Sequence, residues 1–166
     1  MNPEETHIRK FKDCDLSGLT ELLNDSENQE LVGGSLEPMN EAEVSNWLNL
    51  KRSDEGTNIF AIICQDKFAG YVMITSIDRT NEHAVFGINI SRLFQGKGVG
   101  AIVMKYVHDF CKDNLSLRKL VLYVREDNQR AISLYKQLGY RSVGKLLNHT
   151  KVNESYIANN VMEVFL

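Results

Sequence analysis

Cysteine and positive charge are both scarce in this chain, and it has no long apolar run. Only three of its 166 residues are cysteines. Cys14, Cys64 and Cys111 are odd in number and lack metal-ligand spacing, which fits neither a disulfide framework nor a zinc site and points to a reduced, cytoplasmic compartment. Lys and Arg total 19 against 22 Asp and Glu, a formal charge of −3. The basic surplus or stripe of a nucleic-acid binder is therefore missing, and a weakly negative surface suits a cationic substrate slightly better than an anionic one. No apolar run approaches the ~20 residues that cross a bilayer. Charges throughout residues 1–15 speak against a signal peptide. No repeat is visible.

What is present fits one globular domain. Apolar residues make up 43% and charged ones 25%, and a chain of this length can bury a single core. A first strand is expected at 7–11. Asp15 is expected to cap a helix with Leu16, Leu19, Leu22 and Leu23 on one face. The polar stretch 24–38, with Gly33 and Gly34 inside it, reads as a loop. Asn40 and Glu43 form a capping box for a helix carrying Val44, Trp47 and Leu48. Runs at 59–64, 68–77 and 84–90 with short connections read as an antiparallel meander. Val99, Ile102, Val103, Tyr106, Val107, Phe110 and Cys111 repeat at helical spacing. A strand at 119–124 then closes a right-handed crossover, so it runs parallel to 84–90. A helix over Ala131, Leu134, Tyr135 and Leu138 ends at Gly139, and strands at 140–147 and 156–165 complete the sheet. The order is β-α-α-β-β-β-α-β-α-β-β. It describes an α+β domain with a mixed, mostly antiparallel sheet flanked by helices.

The segment Gln95-Gly96-Lys97-Gly98-Val99-Gly100 sits between the strand at 84–90 and the long helix. Three glycines in five residues let the backbone turn sharply and approach a ligand closely. The helix start behind them supplies free N–H groups and a positive dipole end, which suits a pyrophosphate, and Lys97 could add a charge. The spacing is neither that of a P-loop nor that of a Rossmann fingerprint. On the glycines alone, a plain turn before a helix remains open.

Gln95-x-x-Gly98-x-Gly100 resembles the [RQ]-x-x-G-x-[GA] signature of the GNAT superfamily of N-acetyltransferases. Downstream, Asn128, Ala131, Tyr135 and Leu138-Gly139-Tyr140 are similar to that family's N-x-x-A-x-x-x-Y-x-x-x-G-[FY] run. The resemblance covers roughly residues 59–166.

It implies a GNAT-like fold and a cytoplasmic, acetyl-CoA-dependent enzyme. Acetyl-CoA as co-substrate would lie where the strands at 84–90 and 119–124 part. Amides of Gly96, Lys97, Gly98, Val99, Gly100 and Ala101 would hold the pyrophosphate, with Gln95 in the signature. The edge of Ile88, Asn89 and Ile90 would pair with the pantetheine arm and set an N–H near the thioester oxygen. Asn128 would bind from the other lip, although alone it reads as a helix cap. Tyr135, by periodicity a core aromatic, becomes the general acid for the leaving thiolate. Its proton is expected to pass downhill from a phenol near ~10 to a thiol near ~8.5. An attacking alkylamine, with a pKa near ~10.4, must itself lose a proton. Glu82, His83, Glu37 or water could take it. His108 reads as exposed, and the three cysteines as inert rather than nucleophilic.

The amine is less legible. In the family, the acceptor site varies through segments equivalent to 15–55 and 145–158. Tyr156-Ile157-Ala158-Asn159-Asn160-Val161-Met162 resembles the Y-I-D-x-x-x-M ending of a subgroup acting on polyamines, amino sugars, ribosomal-protein N-termini and antibiotics, but Ala158 stands at the Asp position. A small primary amine, either an amino sugar or a polyamine, is the leading expectation. Glu27, Glu30, Glu37, Glu41 and Glu43 are candidate carboxylates for a polyamine. A protein N-terminal α-amine, a silent CoA-binding module and an unrelated nucleotide binder are the alternatives. A homodimer is compatible with this reading; nucleic-acid and membrane partners are not expected.

Overall fold

A computed structural model describes residues 2–34 and 37–166. Strands β1 (Thr6–Arg9), β2 (Asn58–Cys64), β3 (Lys67–Asp78), β4 (His83–Ile90), β5 (Lys119–Arg125), β6 (Arg141–Val152) and β7 (Ser155–Phe165) form one sheet of order β1-β2-β3-β4-β5-β7-β6. Only β4 and β5 run parallel, joined by the crossover helix α4 (Val99–Asp113). The other neighbouring strands are antiparallel. The α+β fold and its mixed sheet are as the sequence implies.

Side chains alternate across each strand, so the sheet builds two cores. Val72, Ile74, Phe86, Leu120 and Leu122 face α4 and α5 (Gln129–Gln137), where Val103, Val107 and Ile132 pack on them. Ala61, Ile63 and Tyr71 face the opposite side, against Leu19 and Leu22 of α1 (Leu16–Leu23) and Val44 and Leu48 of α3 (Glu41–Ser53). Burying such a Leu or Val side chain contributes about 1.5–3 kcal/mol.

The Asn40–Glu43 capping box forms in full, with reciprocal bonds of 3.0 and 2.8 Å. Gly139 has the left-handed conformation, φ +88°, that ends α5. Two local expectations fail. Asp15 does not cap α1. Its buried carboxylate turns back to accept from the Arg9 guanidinium at 2.6 and 2.8 Å and from the Lys12 amide at 2.7 Å. The stretch 24–38 is not one loop. It contains a seven-residue helix, α2 (Ser26–Val32), capped by Asp25 at one end and by left-handed Gly33 at the other. Residues 35 and 36 of that stretch lie outside the described residues. The buried residues of α2 are Asn28 and Gln29, so no apolar stripe announced it.

Candidate active site

The parallel pair is zipped for only three steps: His83 with Lys119, Ala84 with Leu120 and Val85 with Val121. Beyond that, β4 stays on β3 through Ile90, and β5 stays on β7 through Arg125. Each strand is held by its outer neighbour while the inner edges part. The opening between them belongs to a cleft of about 920 Å³. It runs from the glycine turn at one end to Trp47, Met39 and Tyr71 under α2 and α3 at the other.

At the glycine turn, Gly96 and Gly98 take φ of +72° and +83°, conformations that a side chain strains. Among the described residues, no protein acceptor takes the amides of Gly96, Lys97, Gly98, Val99 or Gly100. These are the free donors at the head of α4. Ala101 differs from the expectation, because its amide already donates to the Gly98 carbonyl at 3.1 Å. Val99 points its side chain into the core. Lys97 binds the Leu93 carbonyl at 2.5 Å and does not line the cleft.

A cation does reach the turn, from a residue the sequence reading missed. The Arg130 guanidinium lies close enough to Gly96 that a β-carbon there would meet Nη2 at 3.0 Å. Its Nη1 also donates to Gln95 Oε1 at 3.4 Å. Its place two residues after Asn128, on the first turn of α5, was the available signal. Gln95 points back into the protein, donating through Nε2 to the Ile90 carbonyl at 2.7 Å and to Asn28 Oδ1 at 3.0 Å. Asn28, also missed, donates in turn to Asn89 Oδ1 at 2.6 Å. The signature glutamine thus ties the glycine turn to β4 and α2.

Asn128 caps α5 by accepting from the Ala131 amide at 3.2 Å, and it also lines the cleft. Tyr135 lines the cleft from α5, buried against Tyr140 with ring centroids 5.7 Å apart. Burial pushes its hydroxyl up to about 12. The group with the higher pKa holds its proton more tightly, so transfer to a thiolate near ~8.5 runs uphill, not downhill, by roughly 5 kcal/mol. What Tyr135 offers is a hydroxyl that stays protonated at all working pH values. His108 is half-buried rather than exposed. Its Nε2 lies 3.1 Å from the Tyr140 hydroxyl, and burial lowers its pKa.

The side-chain bases named from sequence are not gathered here. Glu82 and His83 sit at the zipped end of β4, with His83 3.8 Å from Asp78. At ~3.4 Å per residue that is ~17 Å from Ile88. Glu37 is exposed. Glu27 pairs with Arg92, and Glu43 is spent on its own helix cap. Among the described residues lining the cleft, the one carboxylate is Asp127, held by Arg125 at 2.6 and 2.9 Å. Cys64 and Cys111 are buried, and burial pushes the Cys111 thiol up to about 12, so it carries no thiolate. The described residues contain no metal-binding cluster.

Sequence and fold comparisons agree with this geometry. The acetyltransferase (GNAT) family profile matches residues 17–140. The chain belongs to the acetyltransferase (GNAT) family. The spermidine N(1)-acetyltransferase of Escherichia coli K12 is 32% identical over 114 residues, 69% of this chain and 61% of that protein. The chain thus matches about three fifths of that relative's length. The N-alpha-acetyltransferase RimI of Mycobacterium tuberculosis is 30% identical over 86 residues, 51% of this chain and 52% of that protein. The crystal structure of a Vibrio cholerae spermidine N-acetyltransferase in complex with CoA and spermine shares the fold, with a TM-score of 0.90 at 23% identity over 98% of this chain and 96% of that one. The GNAT signature Gln95-x-x-Gly98-x-Gly100 therefore stands in a GNAT fold, at the head of α4. No described helix is long and apolar enough to cross a membrane.

Proposed function

We propose that this chain is a cytoplasmic N-acetyltransferase that moves the acetyl group of acetyl-CoA to the primary amine of a small molecule, an amino sugar or a polyamine, by direct attack. The observation that carries this reading is the parting of β4 from β5 in line with a turn of free amides. The diphosphate binds the amides of Gly96 to Gly100, with Arg130 adding charge. The pantetheine arm runs along the inner edge of Ile88, Asn89 and Ile90, with Asn128 on the facing lip. The amine nitrogen bonds to the thioester carbonyl carbon, the carbon–sulfur bond breaks, and CoA leaves as a thiolate. The amine's extra proton goes to water in the open cleft, because the one carboxylate among the described lining residues, Asp127, is held by Arg125. Tyr135 donates a hydrogen bond to the departing sulfur and so lowers the cost of the charge forming there.

The spermidine-acetylating relatives favour a polyamine. A second reading is a peptide α-amine, favoured by the RimI relative. With a pKa near ~7.7–8.0, that amine needs no strong base, which suits this cleft. Homo-oligomer formation fits the outermost strand β6, which exposes Val143 and Leu147. A thiol-release assay with acetyl-CoA and a panel of spermidine, glucosamine and a short peptide tests the function. Release with at least one amine is expected. No release with any, alongside no CoA binding, contradicts the reading.

A further inference from the structure

Beside the strand edge that carries the pantetheine arm, the cleft holds two polar side chains that the acetyl transfer described above does not use. Tyr71 of β3 and Asn89 of β4 are direct cross-strand partners. Their side chains therefore stand on the same face with β-carbons ~5 Å apart. That face looks toward α1, α2 and α3, and both residues line the cleft beside Trp47 and Met73. Trp47 packs edge-on against Tyr71 at 5.7 Å. Asn89 is 2% exposed, and among the described residues its Nδ2 makes no hydrogen bond of good geometry, the amide acting only weakly on the Tyr71 hydroxyl oxygen. Burying a donor with so poorly formed a bond is costly, so the site has a place for a better acceptor.

The direction of the Asn89 amide is fixed by its neighbours. Gln95 must turn Nε2 toward the Ile90 carbonyl, which only accepts. That leaves Asn28 Oδ1 facing the same Nε2, and Asn28 Nδ2 facing Asn89 Oδ1. Asn89 cannot flip without setting two donors against each other. Its remaining N–H groups therefore look away from Asn28. The Tyr71 hydroxyl likewise donates to no protein acceptor among the described residues. Burial pushes Tyr71 up, with the Asn89 amide offsetting part of that rise, so the hydroxyl keeps its proton at neutral pH.

We propose that Tyr71 and Asn89 form a donor pair that recognises an oxygen of the acceptor, so that the substrate is a primary amine bearing a hydroxyl or carbonyl near the reacting nitrogen. This rests on the acetyltransferase reading and narrows it. The surrounding charge agrees. The acceptor end carries Lys51 and, among its described lining residues, no carboxylate. Among the described lining residues of this end, none neutralises the extra charges of a bare alkyl polyamine. An amino alcohol, an amino sugar or a peptide terminus offers one ammonium and an oxygen, which suits two donors in an aromatic setting. Tyr71 makes the contact. Asn89 contributes its own donor, and Asn28 and Gln95 hold it in place as positioning residues.

The test compares 1,3-diaminopropane with 1,3-diamino-2-propanol, which differ by one hydroxyl, in wild type, Tyr71→Phe and Asn89→Leu. Wild type should favour the hydroxylated amine in kcat/KM on the order of tenfold, the scale of one good hydrogen bond. Both substitutions should bring that ratio toward one, chiefly through KM for the hydroxylated amine, and Tyr71→Phe should leave CoA affinity unchanged by calorimetry. If Asn89→Leu does not fold, Tyr71→Phe alone decides. Equal use of the two amines by wild type, or a preference that survives Tyr71→Phe, overturns the proposal. So does an equal fall in kcat for both amines, which would place the pair at the thioester oxygen instead. Absence of thiol release with every amine is a different failure. It would remove the acetyltransferase reading itself.

Discussion

Val85 and Val121 are the last residues that join the two parallel strands; past this pair β4 and β5 go their separate ways. The separation is stable because each strand keeps its outer partner, β3 out to Ile90 and β7 out to Arg125. Backbone groups left unpaired on the inner edges are what a flexible, amide-bearing ligand can bind, as an added strand would. The cleft is therefore a property of the sheet, not of a loop.

Replacing Gly98 by Val should abolish measurable CoA binding. The φ of +83° at this position is forbidding for a β-branched residue, so the turn must reshape and its free amides lose their common aim. Calorimetric titration with CoA checks this. Intact affinity in a folded variant contradicts the placement of the diphosphate.

Arg130→Ala should weaken CoA binding about tenfold and leave the fold intact, since the residue is exposed and touches the turn through Gly96 and Gln95. The loss should shrink as salt rises, because an exposed charge is screened. A salt-independent loss in the same titration would point to packing instead.

Tyr135→Phe should lower kcat about 10–100-fold with little change in CoA affinity. Because burial pushes the hydroxyl up to about 12, wild-type activity should show no loss from Tyr135 ionisation below about pH 11. A pH–rate profile for both proteins checks this. Unchanged turnover in the variant removes Tyr135 from the chemistry.

Asp15→Asn should destabilise the fold by about 1–3 kcal/mol, measured by urea unfolding at pH 7. Burial alone would raise the Asp15 pKa, but the Arg9 guanidinium and the Lys12 amide outweigh it and hold the carboxyl below its ordinary value. Its contribution is thus complete above that ordinary value, ~3.9, and fades as pH falls through the lower folded value. Wild type and variant should converge in stability in strong acid. A gap that persists there would contradict the ion-pair account.

Much of this fold is legible in the sequence. Leucine spacing in α1, the valine and isoleucine spacing in α4 and the Asn40–Glu43 box follow simple periodic and capping rules, and each forms. The glycine turn was readable because its residues have few other reasons to cluster. The losses have physical causes. Helix α2 hides because its buried face is Asn28 and Gln29, satisfied by amides rather than by apolar contact; the bracket of Asp25 and Gly33 was its only trace. Asp15 precedes a helix, as a cap would, yet Arg9 offers it a stronger partner than the helix amides do. Glu82 and His83 lie near the cleft residues in sequence, but a strand carries its two ends far apart. The Asn89 amide was visible only as part of a strand edge, because the direction of its donor depends on which way Gln95 and Asn28 point.

Amide hydrogen exchange with and without saturating CoA tests the central claim most directly. The account predicts new protection at the amides of residues 96–100 and along the inner edge of 88–90, with little change at the zipped positions 83–85. Protection confined to other segments, with the glycine turn exchanging as before, would contradict it.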